Sequence, residues 1–228
     1  MAAASPSHHN LRKNELADAV YVVAEWIKNN RQQFYGIAGI VIGIIIFTAF
    51  FLTRYFLVRE RVSDKLSLAQ ALMYHNQADQ AVKTLDEVIA QYSNTPSAAI
   101  ARITKADYLI RQHKYSQARD LISSVMASGK PETIIPLAYP IMGNIQEDTQ
   151  DYKGAINTYN DFLGKFPEHF LVPGILDSLG RVYQITGASE QAKGAYQRLV
   201  TEFKGSGWER EARENLYMLN SANPSHNK

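Results

Sequence analysis

Residues 136–172 read PLAYPIMGNIQEDTQDYKGAINTYNDFLGKFPEHFLV, and residues 173–209 read PGILDSLGRVYQITGASEQAKGAYQRLVTEFKGSGWE. Each stretch is 37 residues long, and in register they match Pro136 with Pro173, Gly143 with Gly180, Ala155 with Ala192 and Tyr159 with Tyr196. The same spacing extends backwards. Ala118 and Ala81 continue the alanine series, and Ala106 and Ala69 continue the small residues that stand 12 positions before each alanine. Four positions after the alanines come Leu85, Ile122, Tyr159 and Tyr196, and three further on come Val88, Val125, Phe162 and Leu199. A fixed period of this size marks stacked supersecondary units, none of which buries its apolar face alone. Small residues about three helical turns apart predict two helices that approach closely. The fold expected is therefore all-α, a solenoid of helical hairpins at 62–98, 99–135, 136–172 and 173–209.

The punctuation agrees with that register. Pro136 and Pro173 open their units, where proline lacks only a donor that the helix leaves unpaired. Pro140 falls one turn further in and should shift or kink the start of its helix. Gly187 marks the turn of the fourth unit, and the regions of Pro131 and Pro167 mark exits from second helices. Residues 208–219 carry Ala212, Leu216 and Leu219 at helical spacing, a terminal helix to cover the open end of the stack. The repeat domain thus spans 62–219, and residues 220–228 form a loose tail.

Residues 34–53, FYGIAGIVIGIIIFTAFFLT, contain no charge and no polar stripe. Twenty residues at 1.5 Å each reach about 30 Å, the thickness of a bilayer's hydrocarbon core. A membrane helix is expected over 34–57. It reads as a retained anchor, because 33 residues precede it and Arg54, Tyr55 and Phe56 stand where a small-residue cleavage site would be. Gly36, Gly39 and Gly43 share one face of the span, where another membrane helix could approach closely. No proline or glycine interrupts 57–74, so the span is expected to run into the first repeat. Ahead of it, residues 1–13 are expected to be disordered. Residues 14–31 form an amphipathic helix capped by Asn14, with Leu16, Val20, Val23, Trp26 and Ile27 on the face that would lie on the membrane.

Charge and chemistry exclude several functions. Residues 1–61 carry seven Lys/Arg against four Asp/Glu, and residues 62–228 carry 17 against 18. So neutral a repeat domain gives no basis for binding nucleic acid. There is no cysteine, hence no disulfide and no thiolate metal site. No nucleophile elbow, phosphate loop or zinc-protease motif occurs, so neither enzyme activity nor any cofactor, metal or small-molecule substrate is expected. His75 and His113 fall near turns, and Glu147, Asp148 and Asp151 read as a solvated helix end.

The pattern of small and bulky residues resembles the tetratricopeptide repeat. Tyr139, Gly143, Tyr152, Ala155, Tyr159, Phe162 and Pro167 carry it in the third unit, Leu179, Gly180, Tyr183, Ala192 and Tyr196 in the fourth, and Ala106, Leu109, Tyr115 and Ala118 in the second. That resemblance implies a right-handed α-solenoid whose first helices line a protein-binding groove. Carried over, the groove would include Tyr74, Asp107, Arg111, Asn144, Asp148, Asp177, Arg181 and Gln184, with Ile103, Ile110 and Ile141 as its apolar members. The clamp for a C-terminal carboxylate known in chaperone-binding repeats is not present at matching positions.

The whole layout, a basic uncleaved segment with AEWIKNNRQQ, one glycine-containing span, Arg54-Tyr55 and then degenerate repeats, resembles the ancillary subunit of the bacterial Sec translocon, the YfgM-like family. That resemblance implies a single-pass protein of the inner membrane, N-terminus in the cytoplasm and repeats in the periplasm, touching the translocon and periplasmic chaperones. Lys/Arg flank both ends of the span, so the positive-inside rule does not choose a side. The alternative is a structural or assembly-scaffold subunit of a larger secretion, motility or respiratory complex.

Overall fold

A computed structural model describes residues 8–93 and 95–221, all of whose regular structure is helical. The first seven residues of the expected disordered segment, and residues 222–228 of the expected tail, lie outside the described residues. The chain divides into two compact units, residues 1–60 and residues 61–228.

In the first unit, α1 spans His8–Asn29 and begins ahead of Asn14, the expected cap. Leu, Arg and Lys ahead of Asn14 are good helix formers, which favours the longer helix over a break at that residue. Helix α2 then spans Arg31–Tyr74. It is long and apolar enough to cross a membrane, and none of its apolar window is buried. Ile40, Phe47, Phe50 and Phe51 are each more than 60% exposed.

In the second unit the end of α2 serves as the first helix of the first hairpin, with Val62, Leu66 and Ala69 buried. It is followed by α3 (Ala78–Gln91), α4 (Pro96–Arg111), α5 (Tyr115–Ala127), α6 (Ile135–Asp148), α7 (Tyr152–Lys165), α8 (Val172–Ile185), α9 (Ser189–Glu202) and α10 (Gly207–Ser221). Helices α3, α5, α7 and α9 start 37 residues apart, the period of the sequence. Helix α4 starts earlier than the unit boundary at 99, because Thr95 caps it by accepting from the Ala98 amide at 3.2 Å, with Pro96 at the first helical position. Pro140 lies within α6, which continues past it to Asp148.

The turn inside each hairpin repeats as well. Asn76, His113, Gln150 and Gly187 all have positive φ, between 57° and 74°, at successive 37-residue steps. The next amide in each case reaches back to a helix carbonyl: Gln77 to Leu72 at 2.8 Å, Lys114 to Leu109 at 2.9 Å, Asp151 to Gln146 at 2.7 Å and Ala188 to Tyr183 at 2.8 Å. This is the Schellman stop, which satisfies the last carbonyls by placing one residue in the left-handed region. Only the fourth copy uses the residue best suited to it.

The four alanines, Ala81, Ala118, Ala155 and Ala192, have no exposed surface, and the bulky residues four positions later are at most 1% exposed. The core continues through Ile122, Ile145, Phe162, Ile175 and Leu199, each fully buried side chain contributing about 1.5–3 kcal/mol. Ala212 of α10 is buried, and Leu216 and Leu219 pack on the same cluster, which closes the apolar end of the stack.

Candidate functional site

The small residues of the period fix the geometry of the candidate face. A side chain added at Gly143 would meet Tyr159, and one added at Gly180 would lie 2.7 Å from Cζ of Tyr196. Two glycines thus admit two tyrosines between paired helices. Each hydroxyl emerges on the side of the first helix that the resemblance assigned to binding. Tyr159 Oη donates to Glu147 Oε1 at 2.6 Å and lies 3.2 Å from Asn144 Oδ1, and Tyr196 Oη donates to Gln184 Oε1 at 3.1 Å.

Glu147 is the centre of this arrangement. Its side chain is only 8% exposed, and both its oxygens accept from the guanidinium of Arg181 on the next hairpin. The sequence-based reading of Glu147, Asp148 and Asp151 as one solvated cluster is therefore corrected. Glu147 turns inward because Tyr159 and Arg181 satisfy it. Asp151 caps α7 by accepting from the Gly154 amide at 3.0 Å, and it and Asp148 are exposed as expected. The missed signal was the register itself, since Glu147 stands 37 residues before Gln184.

The other expected residues divide into groups. Asn144 and Arg181 meet through Tyr159 and Glu147, Gln184 separately holds the Tyr196 hydroxyl, and the Asp177 charge acts on both Arg181 and Tyr196. Among the described residues Asp107 and Arg111 pair with each other, at 3.0 Å on the exposed side of α4. Ile103, Ile110 and Ile141 are half-buried, while Tyr74 is 87% exposed at the end of α2 with its ring edge-on to His75. Gly36, Gly39 and Gly43 on α2 have nothing within 4 Å of an added Cβ, so that side is open.

The electrostatics follow from packing. Burial, reinforced by the bond to Glu147, raises the Tyr159 phenol well above its ordinary value. Burial and the Asp177 charge push Tyr196 up to about 12. Asp177 is raised by burial and by Glu211 of α10, against the pull of Arg181. Burial works against the Arg181 charge, but Glu147 outweighs it and the net shift is upward. The site therefore holds neutral phenols and a paired cation at physiological pH. Among the described residues no cluster of three or more metal-ligating side chains is present. His113 is a left-handed turn residue whose Nδ1 lies 3.1 Å from Tyr115 Oη.

The sequence profile of a family described as tetratricopeptide repeat-like domain matches residues 24–217. No curated protein matches the chain by sequence. Among solved structures, the nearly identical TPR-like repeats of a Podosopora anserina protein described as a kinesin light chain share 16% identity over 73% of this chain and 88% of that one, with a TM-score of 0.59. A Parabacteroides merdae tetratricopeptide repeat protein shares 15% identity over 72% of this chain and 68% of that one, with a TM-score of 0.57. YrrB, described as a TPR protein with an unusual peptide-binding site, shares 13% identity over 72% and 78%, with a TM-score of 0.53. Identities this low speak to fold alone.

Proposed function

Because the chain belongs to the tetratricopeptide repeat-like domain family, we propose that it is a membrane-anchored protein–protein interaction module at the protein-export machinery of the bacterial inner membrane. In this reading the N-terminus is cytoplasmic and the repeats are periplasmic, holding a chaperone or an emerging envelope protein beside the Sec translocon. The observation that carries the anchoring is the apolar window of α2, none of which is buried among the described residues. In water, so many exposed Ile and Phe side chains would each forgo about 1.5–3 kcal/mol of burial, and a bilayer removes that cost. The repeats supply the interaction surface, as is general for their fold, and the resemblance of the whole layout to the translocon's ancillary subunit supplies the location.

The mechanism is local concentration. Tethering turns a weak contact into an effectively intramolecular one, so a groove of modest affinity suffices. Purification of the full chain from membranes in mild detergent tests the location. Co-purification of the Sec channel supports it, and clean isolation without the channel overturns it.

The open side at Gly36, Gly39 and Gly43 favours a second reading, a scaffold subunit held by membrane-helix packing. A stoichiometric complex that survives high salt, and that Gly39→Leu with Gly43→Leu releases, would select the scaffold over the transient tether.

A further inference from the structure

Helix α6 has two sides, and the candidate binding face uses only one of them. At about 100° per residue, positions 139, 142 and 146 lie roughly opposite positions 141, 144 and 148. On that other side, α5, α6 and α7 border an open groove of about 470 Å³. Its floor is apolar, formed by Met142, Met126 and the ring of Tyr139, and its rim carries Arg119 and Lys165. We infer that this groove is a second binding site, for a peptide segment that presents an aromatic side chain next to a carboxylate. The inference rests on the reading of the chain as a protein-interaction module and adds to it a place and a ligand chemistry.

The aromatic half follows from the repeat register. One period later, Tyr183 stands where Gln146 stands here, and Asn160 stands where Ser123 stands. Tyr183 packs on the core cluster and its hydroxyl accepts from Asn160 at 3.4 Å, so the chain covers that groove with its own ring. One period earlier, Lys105 stands where Met142 stands, and it bridges to Asp86. Between these two, Gln146 lines the groove with its amide oxygen held by Thr158 at 2.8 Å, and it supplies no ring to cover the floor. A ring arriving from outside would take the place of Tyr183, over two methionines whose thioethers favour aromatic contact.

The carboxylate half follows from charge. Arg119 is half-buried and donates to a neutral group, the Thr149 hydroxyl at 3.1 Å. Among the described residues no carboxylate lies within 4.0 Å of it. Lys165 bonds Asp161 at 2.8 Å, but Asp161 also accepts from Tyr139 at 3.0 Å. Two cations against one shared anion leave the rim positive, and an arginine fork pairs best with a carboxylate.

The test pans a phage-displayed library of random dodecapeptides against the detergent-solubilised full chain, then measures synthetic versions of the enriched peptides by fluorescence anisotropy. The expected result is enrichment of an aromatic residue within two positions of Asp or Glu. Arg119→Glu should weaken binding by at least ~10-fold, and so should Gln146→Tyr, which supplies the missing cover. Arg210→Glu, at an exposed position of α10, should leave it unchanged, and Arg111→Glu reports separately on the first-helix face. Arg119→Gln, together with thermal unfolding of every variant, guards against loss of fold. If the enriched peptides bind Arg119→Glu and Gln146→Tyr as well as the parent, the groove is not the site; loss in Arg111→Glu instead would move binding to the first-helix face and leave the interaction-module reading intact. Enrichment of no peptide motif at all would overturn both.

Discussion

Gly143→Ala should cost the protein far more than its size implies. The added methyl would sit against Tyr159, 2.5 Å from Oη and closer still to the ring. That ring has no exposed surface, and its hydroxyl is tied to Glu147 at 2.6 Å. Accommodation requires the ring to move, which overpacks its surroundings at about 1–3 kcal/mol. Movement also breaks a hydrogen bond to a nearly buried charge, worth about 1.5–3 kcal/mol. Replacing glycine within a helix returns about 1 kcal/mol. The net is a loss of about 3 kcal/mol, or roughly 6–12 °C in Tm for a domain of this size.

The control is Gly194→Ala in α9, where nothing lies within 4 Å of the new Cβ. There only the helix gain remains, and Tm should rise by about 2–4 °C. Urea and thermal unfolding of the full chain in detergent, followed by circular dichroism at 222 nm, would measure both. Adding Tyr159→Leu to Gly143→Ala should recover part of the loss, because the shortened side chain vacates the contested space. If Gly143→Ala and Gly194→Ala move Tm in the same direction, the tyrosine does not occupy the glycine's hole and the packing argument fails.

His113→Gly and Gln150→Gly should each stabilise by about 0.5–1 kcal/mol, since both residues hold positive φ in a helix stop where glycine is unstrained; unchanged Tm would contradict the turn assignment. Asp177→Asn should raise Tm at pH 7. The folded carboxyl is raised above its ordinary value, so the native state binds more protons than the unfolded one, and stability falls as pH climbs through the window between the two values. The gain should shrink as the pH is lowered below the ordinary Asp value, where the parent carboxyl becomes neutral in both states, and a pH-independent gain would count against a titration origin. Single cysteines at Gln197 and Ala3, in a chain with no native thiol, would report topology in intact cells with a membrane-impermeant maleimide. Labelling at 197 alone agrees with periplasmic repeats, and labelling at 3 alone refutes them. Gln197 is exposed.

What was legible in the sequence is whatever repeats on the scale of one hairpin. Ala81 through Ala192 and the small residues before them lie where helices touch, and close contact tolerates few side chains, so composition there is narrow. The size of the neighbour even follows: Ala69 and Ala106 pair with aliphatic Leu85 and Ile122, while Gly143 and Gly180 pair with Tyr159 and Tyr196. The turns were less legible. Three of four left-handed positions are Asn76, His113 and Gln150; Asn and His tolerate that region but occur more often elsewhere, and Gln150 carries no signal for it at all. The bridge from Glu147 to Arg181 spans 34 residues and two hairpins, and its ends carry ordinary charges that a surface helix would also carry.

That bridge also bears on where binding can occur. An arginine on the first-helix face is the natural anchor for an acidic partner, but Arg181 already has both carboxylate oxygens of Glu147, and Glu147 is too buried to be rehydrated cheaply. A partner carboxylate that took Arg181 would leave Glu147 with only the Tyr159 hydroxyl, and an uncompensated buried charge costs about 3–5 kcal/mol. The first-helix face between the third and fourth hairpins is therefore braced against the ligand its charges seem to invite. Arg119, on the opposite side of the third hairpin, gives up only a neutral hydroxyl when a carboxylate arrives. Of the two arginines, the one that the resemblance did not select is the cheaper to recruit.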